Sequence, residues 1–246
     1  MRKYLLSFFH EKSWGNRPNV PQDSSLWPEA WKKIHYKTYP RTPVVALPDP
    51  TEVTVNLGTS LHNRRSSRDF RNTVLNLKQL SALLAHACGL QKIPDRENHR
   101  TYPSGGGLYP VEIYVSSGDV QGLARGLYHY AHQTHTLEHI GQEHHQKQFV
   151  DAMTYEFTKD APCTIVLSAR WGISSPKYGD FAYRIIMMEA GHISENLQLV
   201  AESLGLRYCS FAGFKQKQAN ESFDLTSRSE DIIYCTSIGT SQQVVQ

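Results

Sequence analysis

Four short stretches hold the residue types that could do chemistry. "RRSSRDF" crowds Arg64, Arg65, Ser66 and Arg68 just ahead of a helical pattern. Three guanidiniums with neighbouring hydroxyls can grip a phosphate through bidentate, charge-assisted hydrogen bonds. A solvated basic turn is the plain alternative. "TYPSGGGLYPVEIYV" sets Gly105, Gly106 and Gly107 directly before a strand pattern. Such a run costs backbone entropy, and is kept where φ must be positive or where another group approaches the main chain closely. A flat ligand would meet that need; so would an ordinary tight loop. The run precedes a strand instead of following one and lacks GxxxxGK[ST], so neither nucleotide-binding fingerprint applies. "SPKYGDFAYR" places Lys177 beside Tyr178 at the entry to a long helix. Both groups normally titrate near about pH 10, and they could transfer protons if burial or a cation lowered one of them; otherwise the pair is structural. "EAGH" puts Gly191 inside that helix, where it costs about 1 kcal/mol against Ala, so close packing against a ligand, another backbone or a second subunit is expected.

Other groups carry less. His129, His132, His135, His139, His144 and His145 are spread over a hairpin pattern whose residues alternate faces. Without cysteines or acids at matching offsets they argue against a single tetrahedral site, and no metal is expected. Ser66 and Ser104 lack a histidine in a triad-like context. Cys88, Cys163, Cys209 and Cys235 lie far apart with no CxxC pair, which disfavours a zinc ribbon and a redox dithiol and reads as buried thiols in a reducing compartment.

The elements that must position these residues follow from pattern. The chain has 246 residues, 39% of them hydrophobic, enough for a core without disulfides or metal. Its 26 basic and 23 acidic residues leave a charge of +3, too small and dispersed to argue for nucleic acid, while a small anionic ligand stays open. The opening "MRKYLLSFFHEKSWGN" breaks its apolar run too early for a signal core, and nothing later reaches membrane-spanning length, so a soluble, cytoplasmic protein with no membrane partner is expected. Residues 1–55 read as an arm with short helices that packs on the core, or on a partner subunit, through Trp14, Trp27 and Trp31; 56–246 read as the main domain. "NLKQLSALLAHACG" predicts a helix with an Asn-x-x-Gln capping box. "VEIYVSS" alternates like a strand with one buried face. "GLYHYAHQTHTLEHI" predicts two short strands around a turn, "HQKQFVDAMTYEF" an amphipathic helix, and "CTIVLSAR" a central strand. "FAYRIIMMEAGHISENLQLVAESLG" predicts the longest helix, with Ile186, Ala190, Ile193 and Leu197 on its apolar stripe. "RYCSFAGF" and "IIYCTSIG" add two strands. Helices and strands mix without βαβ rhythm, giving an α+β class with a mostly antiparallel central sheet flanked by helices.

Together, "RRSSRDF", "YPSGGGLYPVEIYV", "GLYHY", "KYGDFAYR", "MEAGHISENLQLVAESLGL" and "FAGF" occur in the order and at about the spacing of the SagB-type dehydrogenases, which the chain resembles over residues 30 to 240 or so. These are a branch of the FMN-dependent nitroreductase superfamily that includes azoline oxidases. The resemblance implies a nitroreductase-like fold in a domain-swapped homodimer with FMN at the subunit interface. It implies that Arg64, Arg65, Ser66 and Arg68 hold the FMN phosphate, ribityl chain and pyrimidine edge from one subunit. Pro103, Ser104, Gly105 and Gly106 would line the flavin from the other, and Ala212 and Gly213 would bring backbone amides to its reactive edge. Lys177 and Tyr178 match the pair that azoline oxidases use for proton abstraction. The chain departs from the family where alanines often replace Gly105 and Gly107. It also departs at "SIGTSQQVVQ", which offers no late cation for the flavin phosphate, and in having no room for a fused peptide-recognition region.

The activity so implied is FMN-dependent oxidation of peptide thiazolines or oxazolines to azoles, with a cyclodehydratase and a modified precursor peptide as partners. A nitro- or quinone reductase using NAD(P)H, or another small-substrate flavin dehydrogenase, is the alternative, and a catalytically idle flavoprotein scaffold in a peptide-modifying complex is a third reading.

Overall fold

The computed structural model describes residues 10–14, 18–91, 93–94, 98–226 and 228–240, so the first nine residues and most of the cation-free tail lie outside it. The sheet is built around β3 (Val111–Ser117), β5 (Gly126–Ala131), β6 (Thr136–Gly141), β7 (Cys163–Arg170), β8 (Leu206–Phe211) and β9 (Glu230–Thr240), with β1 (Val44–Ala46) at one edge. The strand order is β1-β6-β5-β3-β7-β9-β8, and every neighbouring pair is antiparallel. The only parallel pairing among the described residues joins the two-residue strands β2 (Leu75–Asn76) and β4 (Val120–Gln121).

Apolar periodicity decides which helices cover which face. α2 (Leu77–Cys88) and α5 (Ala182–Ser203) press Leu80, Leu83, Leu84, Ile186, Ile193 and Leu197 onto Val111, Ile113 and Val115 of β3 and Ile165 and Leu167 of β7. α3 (Glu143–Ala152) and α6 (Gln216–Ser222) close the opposite face with Phe149, Ala152 and Ala219 around Tyr114, Val166 and Ile232. Asn76 caps α2 through the capping box its sequence predicts, with Asn76 Oδ1 accepting from the Gln79 amide and Gln79 Oε1 from the Asn76 amide. Two shorter helices are α1 (Leu57–Asn63) and α4 (Trp171–Tyr178). The helix read into "HQKQFVDAMTYEF" starts earlier, at Glu143, and stops at Ala152.

One expectation about the sheet fails for an instructive reason. β3 alternates like a strand with one wet face, yet all seven of its residues are buried. Its polar side is closed by charge pairing. Glu112 accepts from Arg170 Nη1 at 2.9 Å and faces His129 Nε2 at 3.2 Å, and His129 Nδ1 stands 2.7 Å from Glu138. Tyr114 donates to Glu230 at 2.7 Å, and Ser168 donates to the same carboxylate at 2.6 Å. Lys37 Nζ, from the segment before β1, donates to both Glu230 and Tyr114 at 2.6 Å, while the Tyr39 amide donates to Glu138 at 3.0 Å. Buried charges survive when paired this completely.

Burial opposes charge on His129, but Glu112 and Glu138 outweigh it and hold the imidazole above its ordinary 6.5. A pKa raised by folding stabilises the fold below the unfolded value, and the gain is lost as pH rises through the folded one. His129→Gln should therefore flatten the fall in Tm on the alkaline side of pH 6.5, read by thermal denaturation across pH; an unchanged profile would show that His129 is neutral in the fold.

Two of the other hairpin histidines are held by neighbours. His135 sits between Ser81 Oγ and the Tyr130 hydroxyl, both at 2.8 Å, and His139 stacks on Tyr128 at 4.7 Å. Among the described residues no group of three His, Cys, Asp or Glu could hold a metal, no helix is long and apolar enough to cross a membrane, and all four cysteines are buried and unpaired.

Candidate functional site

Lys177 and Tyr178 do not lead into the long helix. They close the separate short helix α4, which carries Pro176 inside and stops at Gly179, before a 3-10 turn over Gly179–Phe181 starts the climb into α5. The turn folds Lys177 inward: the side chain is fully buried, and Nζ has no hydrogen-bond partner. Nζ lies 3.2 Å from the centroid of the Trp27 indole and 5.3 Å from that of the Tyr178 ring. Burial lowers its pKa below the ordinary 10.5.

The glycine run meets this pair. Gly106 adopts φ of 69°, and a Cβ there would stand 2.5 Å from the Tyr178 hydroxyl and 2.7 Å from Lys177 Nζ. The main chain thus passes where no side chain fits, the need the sequence signalled. Ser104 holds the entry to the loop: its Oγ donates to Glu189 Oε2 at 2.5 Å and accepts from the Tyr109 amide at 2.9 Å, while the Val111 amide donates to Glu189 Oε1 at 3.3 Å. Pro103 and Gly106 are exposed and Gly105 is half-buried against Ile185 of α5.

Glu189 is 1% exposed, and burial pushes its carboxyl up to about 7 against the pull of Ser104 and Arg100. Being raised from 4.5, it favours the fold below that value, and the benefit fades as pH rises toward 7. Glu189→Ala should lower Tm by several degrees, since an abandoned buried donor costs about 1–3 kcal/mol and 1 kcal/mol moves Tm by about 2–4 °C at this size. Glu189→Gln should cost less and flatten the Tm profile between pH 4.5 and 7. Equal losses for the two would mean that the contact is only packing.

The arginine cluster lies elsewhere on the chain. It closes helix α1 instead of opening a helix: Arg64 is the C-cap, its amide donating to Ser60 O. Arg64 Nη1 donates to Gln198 of α5 at 3.3 Å, and the Arg65 and Ser67 amides donate to the Tyr208 hydroxyl and carbonyl at 2.9 and 2.7 Å, laying the turn along β8. Arg65, Ser66 and Arg68 are exposed. Among the described residues Asp69 engages Arg71 and Arg207, and Arg64, Arg65 and Arg68 share no ion pair. Directly after β8, Ala212 is exposed and Gly213 packs so tightly that a Cβ would lie 2.6 Å from the Tyr155 ring.

The residues singled out by sequence therefore form two groups within one chain. Arg64, Arg65, Ser66, Arg68, Ala212 and Gly213 share the β8 edge. Pro103, Ser104, Gly105, Gly106, Lys177 and Tyr178 share the α4–α5 corner. Their contacts on α5, at Gln198 and at Ile185, are about 20 Å apart along the helix axis at 1.5 Å per residue. Gly191 shows no close packing in the chain: it is exposed, with nothing within 4 Å of a Cβ. Exposed Tyr183 and Met188 on the same helix, and Leu57 and Leu61 on α1, add to an apolar surface there.

Sequence reasoning passed over Glu189, although a carboxylate one position before Ala190 on the apolar stripe was a usable signal. It passed over Tyr155 with no signal to find it, and it named Trp27 only as packing. The arginine turn, whose guanidiniums share no ion pair among the described residues, suits an anionic group, and at Gly106 and Gly213 the main chain leaves no room for a side chain.

Known proteins place this architecture. The chain is 34% identical over 178 residues to MJ1384 of Methanocaldococcus jannaschii, a protein carrying a nitroreductase name, covering 72% of this chain and 87% of that one. It is 27% identical over 161 residues to the Microcin B17-processing protein McbC of Escherichia coli, covering 63% of this chain and only 58% of McbC. A chain of the E. coli Microcin synthetase McbBCD complex, solved with truncated pro-MccB17 bound, superposes with a TM-score of 0.63 at 19% identity over 98% of this chain and 93% of that one, which shows the shared fold. Residues 61–240, which include both halves of the site apart from Trp27, match the Nitroreductase family, and the chain belongs to it.

Proposed function

We propose that the protein is an FMN-dependent dehydrogenase of the SagB type that oxidises thiazolines or oxazolines in a peptide to azoles, acting as a homodimer. The observation that carries this reading is the close approach of Gly106 to Lys177 and Tyr178, where a Cβ would fall 2.7 Å from Nζ and 2.5 Å from the hydroxyl, bringing together the segments that in that branch line the flavin and transfer the proton. The unpaired guanidiniums of Arg64, Arg65 and Arg68, with Ser66, would hold the FMN phosphate, ribityl chain and pyrimidine edge. Pro103, Ser104, Gly105 and Gly106 of the second subunit would line the ring, and the amides of Ala212 and Gly213 would meet its reactive edge. Two half-sites about 20 Å apart on one helix suit completion by a twin copy. The exposed apolar surface on α1 and α5 supports the same reading.

FMN supplies the hydride acceptor when bound. Tyr178 takes the ring α-proton, and Lys177, shifted toward its neutral form by burial, takes the hydroxyl proton onward. Similarity to McbC, by name a Microcin B17-processing protein, and to a chain of a synthetase complex solved with truncated pro-MccB17 bound, supports a precursor-peptide substrate and work within a complex, with a cyclodehydratase as the partner we propose. The higher identity to MJ1384 favours a second reading, reduction of nitro compounds or quinones with NAD(P)H. Mixing the anaerobic yellow protein first with an azoline peptide and then with NADPH separates them. Bleaching by the peptide alone with azole formation is expected; bleaching by NADPH alone would favour the reductase instead.

A further inference from the structure

We propose that Trp27 belongs to the active site, its indole sealing Lys177 beneath the N-terminal arm as a lid that must lift before Lys177 can meet a substrate. This rests on the role given above to Lys177. A lysine that is fully buried with no hydrogen-bond partner needs something to replace its water. Besides Gly106 and Tyr178, the described residues bring the Trp27 ring against the lysine, with its centroid 3.2 Å from Nζ. An aromatic face suits an ammonium, because it offers negative potential without a proton acceptor.

The arm is constructed as a removable cover. Trp27 is presented by a 3-10 turn, Ser24–Leu26, whose N-cap Asp23 accepts from the Ser25 amide at 2.8 Å, and the indole Nε1 donates to Pro21 O at 2.7 Å. The next turn, Glu29–Trp31, is braced by Lys32 against Glu29 at 2.9 Å. These bonds stay within the arm, and neither turn contains a buried residue. Further along, Lys37 and Tyr39 are bolted into the sheet through Glu230, Tyr114 and Glu138. Upstream, Trp14 packs on Phe181 at 5.2 Å, and Arg184 donates to Ser13 Oγ and His10 O at 2.6 Å, so the arm touches the α4–α5 corner a second time. A segment anchored at Lys37 and resting on the corner through aromatic faces and the two Arg184 hydrogen bonds can open as a unit, once these contacts release, while the sheet stays intact.

The test is amine acylation of the purified protein with acetic anhydride, followed residue by residue by mass spectrometry, with Lys217, whose side chain is 90% exposed, as the internal reference. In the wild type Lys177 should react at least about tenfold more slowly than Lys217, as local protection requires. Trp27→Ala should bring Lys177 up to the rate of Lys217 without changing the latter, and Trp27→Phe, which keeps an aromatic face, should restore the protection. Lys177 reacting as fast as Lys217 in the wild type, or remaining equally slow in Trp27→Ala, would overturn the lid. So would loss of protection in Trp27→Phe. The assay needs neither flavin nor substrate, so the lid stands or falls independently of the azoline reading.

Discussion

Lys177→Met should abolish azoline oxidation by about 10²-fold or more, the usual range for losing a positioned proton acceptor, while the protein stays yellow. The same variant should melt higher than the wild type. The Lys177 ammonium is buried with no hydrogen-bond partner, so its desolvation weakens the fold, and a methionine of similar length removes that cost. The sign in pH follows from the lowered pKa. A lysine whose folded pKa lies below its ordinary 10.5 penalises the fold at low pH, and the penalty is relieved as pH rises through the folded value. Wild-type stability should therefore gain on Lys177→Met in the alkaline range. Rates with an azoline peptide and Tm measured across pH check both halves. Unchanged turnover would remove Lys177 from the chemistry, and a lower Tm would mean that the ammonium is better solvated than its geometry indicates.

Gly106→Ala should damage the candidate site twice over, through backbone strain and through collision with the proton-transfer pair. At φ of 69° an L-residue already costs about 1–2 kcal/mol. The added carbon would stand 2.5 Å from the Tyr178 hydroxyl and 2.7 Å from Lys177 Nζ, so the pair must move aside. A displacement near 1 Å at reacting groups costs about 10²-fold in rate, and the loop should lose flavin as well. Gly107→Ala is the control. Its φ is 67°, nearly the same, but nothing lies within 4 Å of its Cβ, so backbone strain acts alone. Flavin-to-protein ratios from absorbance, with rates for both variants, separate strain from collision. Equal damage in the two would mean that the approach of main chain to Lys177 is incidental.

Much of the fold was readable because its signals are local. The capping box at Asn76, the four-and-three spacing through Ile186, Ala190, Ile193 and Leu197, and the polar turn between β5 and β6 each need only neighbouring residues. Failures came where distant residues decide. β3 reads as half-exposed because alternation reports side-chain polarity, whereas Glu112 and Tyr114 are buried by partners more than fifty residues away, Arg170 and Glu230. Gly106 and Lys177 were each singled out on residue type, but their contact joins segments some seventy positions apart, and no periodicity encodes it. The short helix α4 was not read at all: the long helix was read from Phe181, close to its start at Ala182, while Gly172 and Pro176 hide the helical turn before Gly179.

The strand order sets a schedule for biosynthesis. β8, on which the arginine turn and the Ala212–Gly213 turn both lean, pairs among the described residues only with β9, and β9 is made after it. While residues 230–240 are still being translated, the glycine loop and the Lys177 corner can already rest on β3 and β7, but β8 has helix α5 against it, through Ser194–Ser210 and Glu202–Tyr208, and no strand partner. A nascent chain would thus complete the Lys177 corner first and the arginine edge last, so premature termination shortly before β9 would yield a partly folded product that, on the proposed reading, retains little flavin.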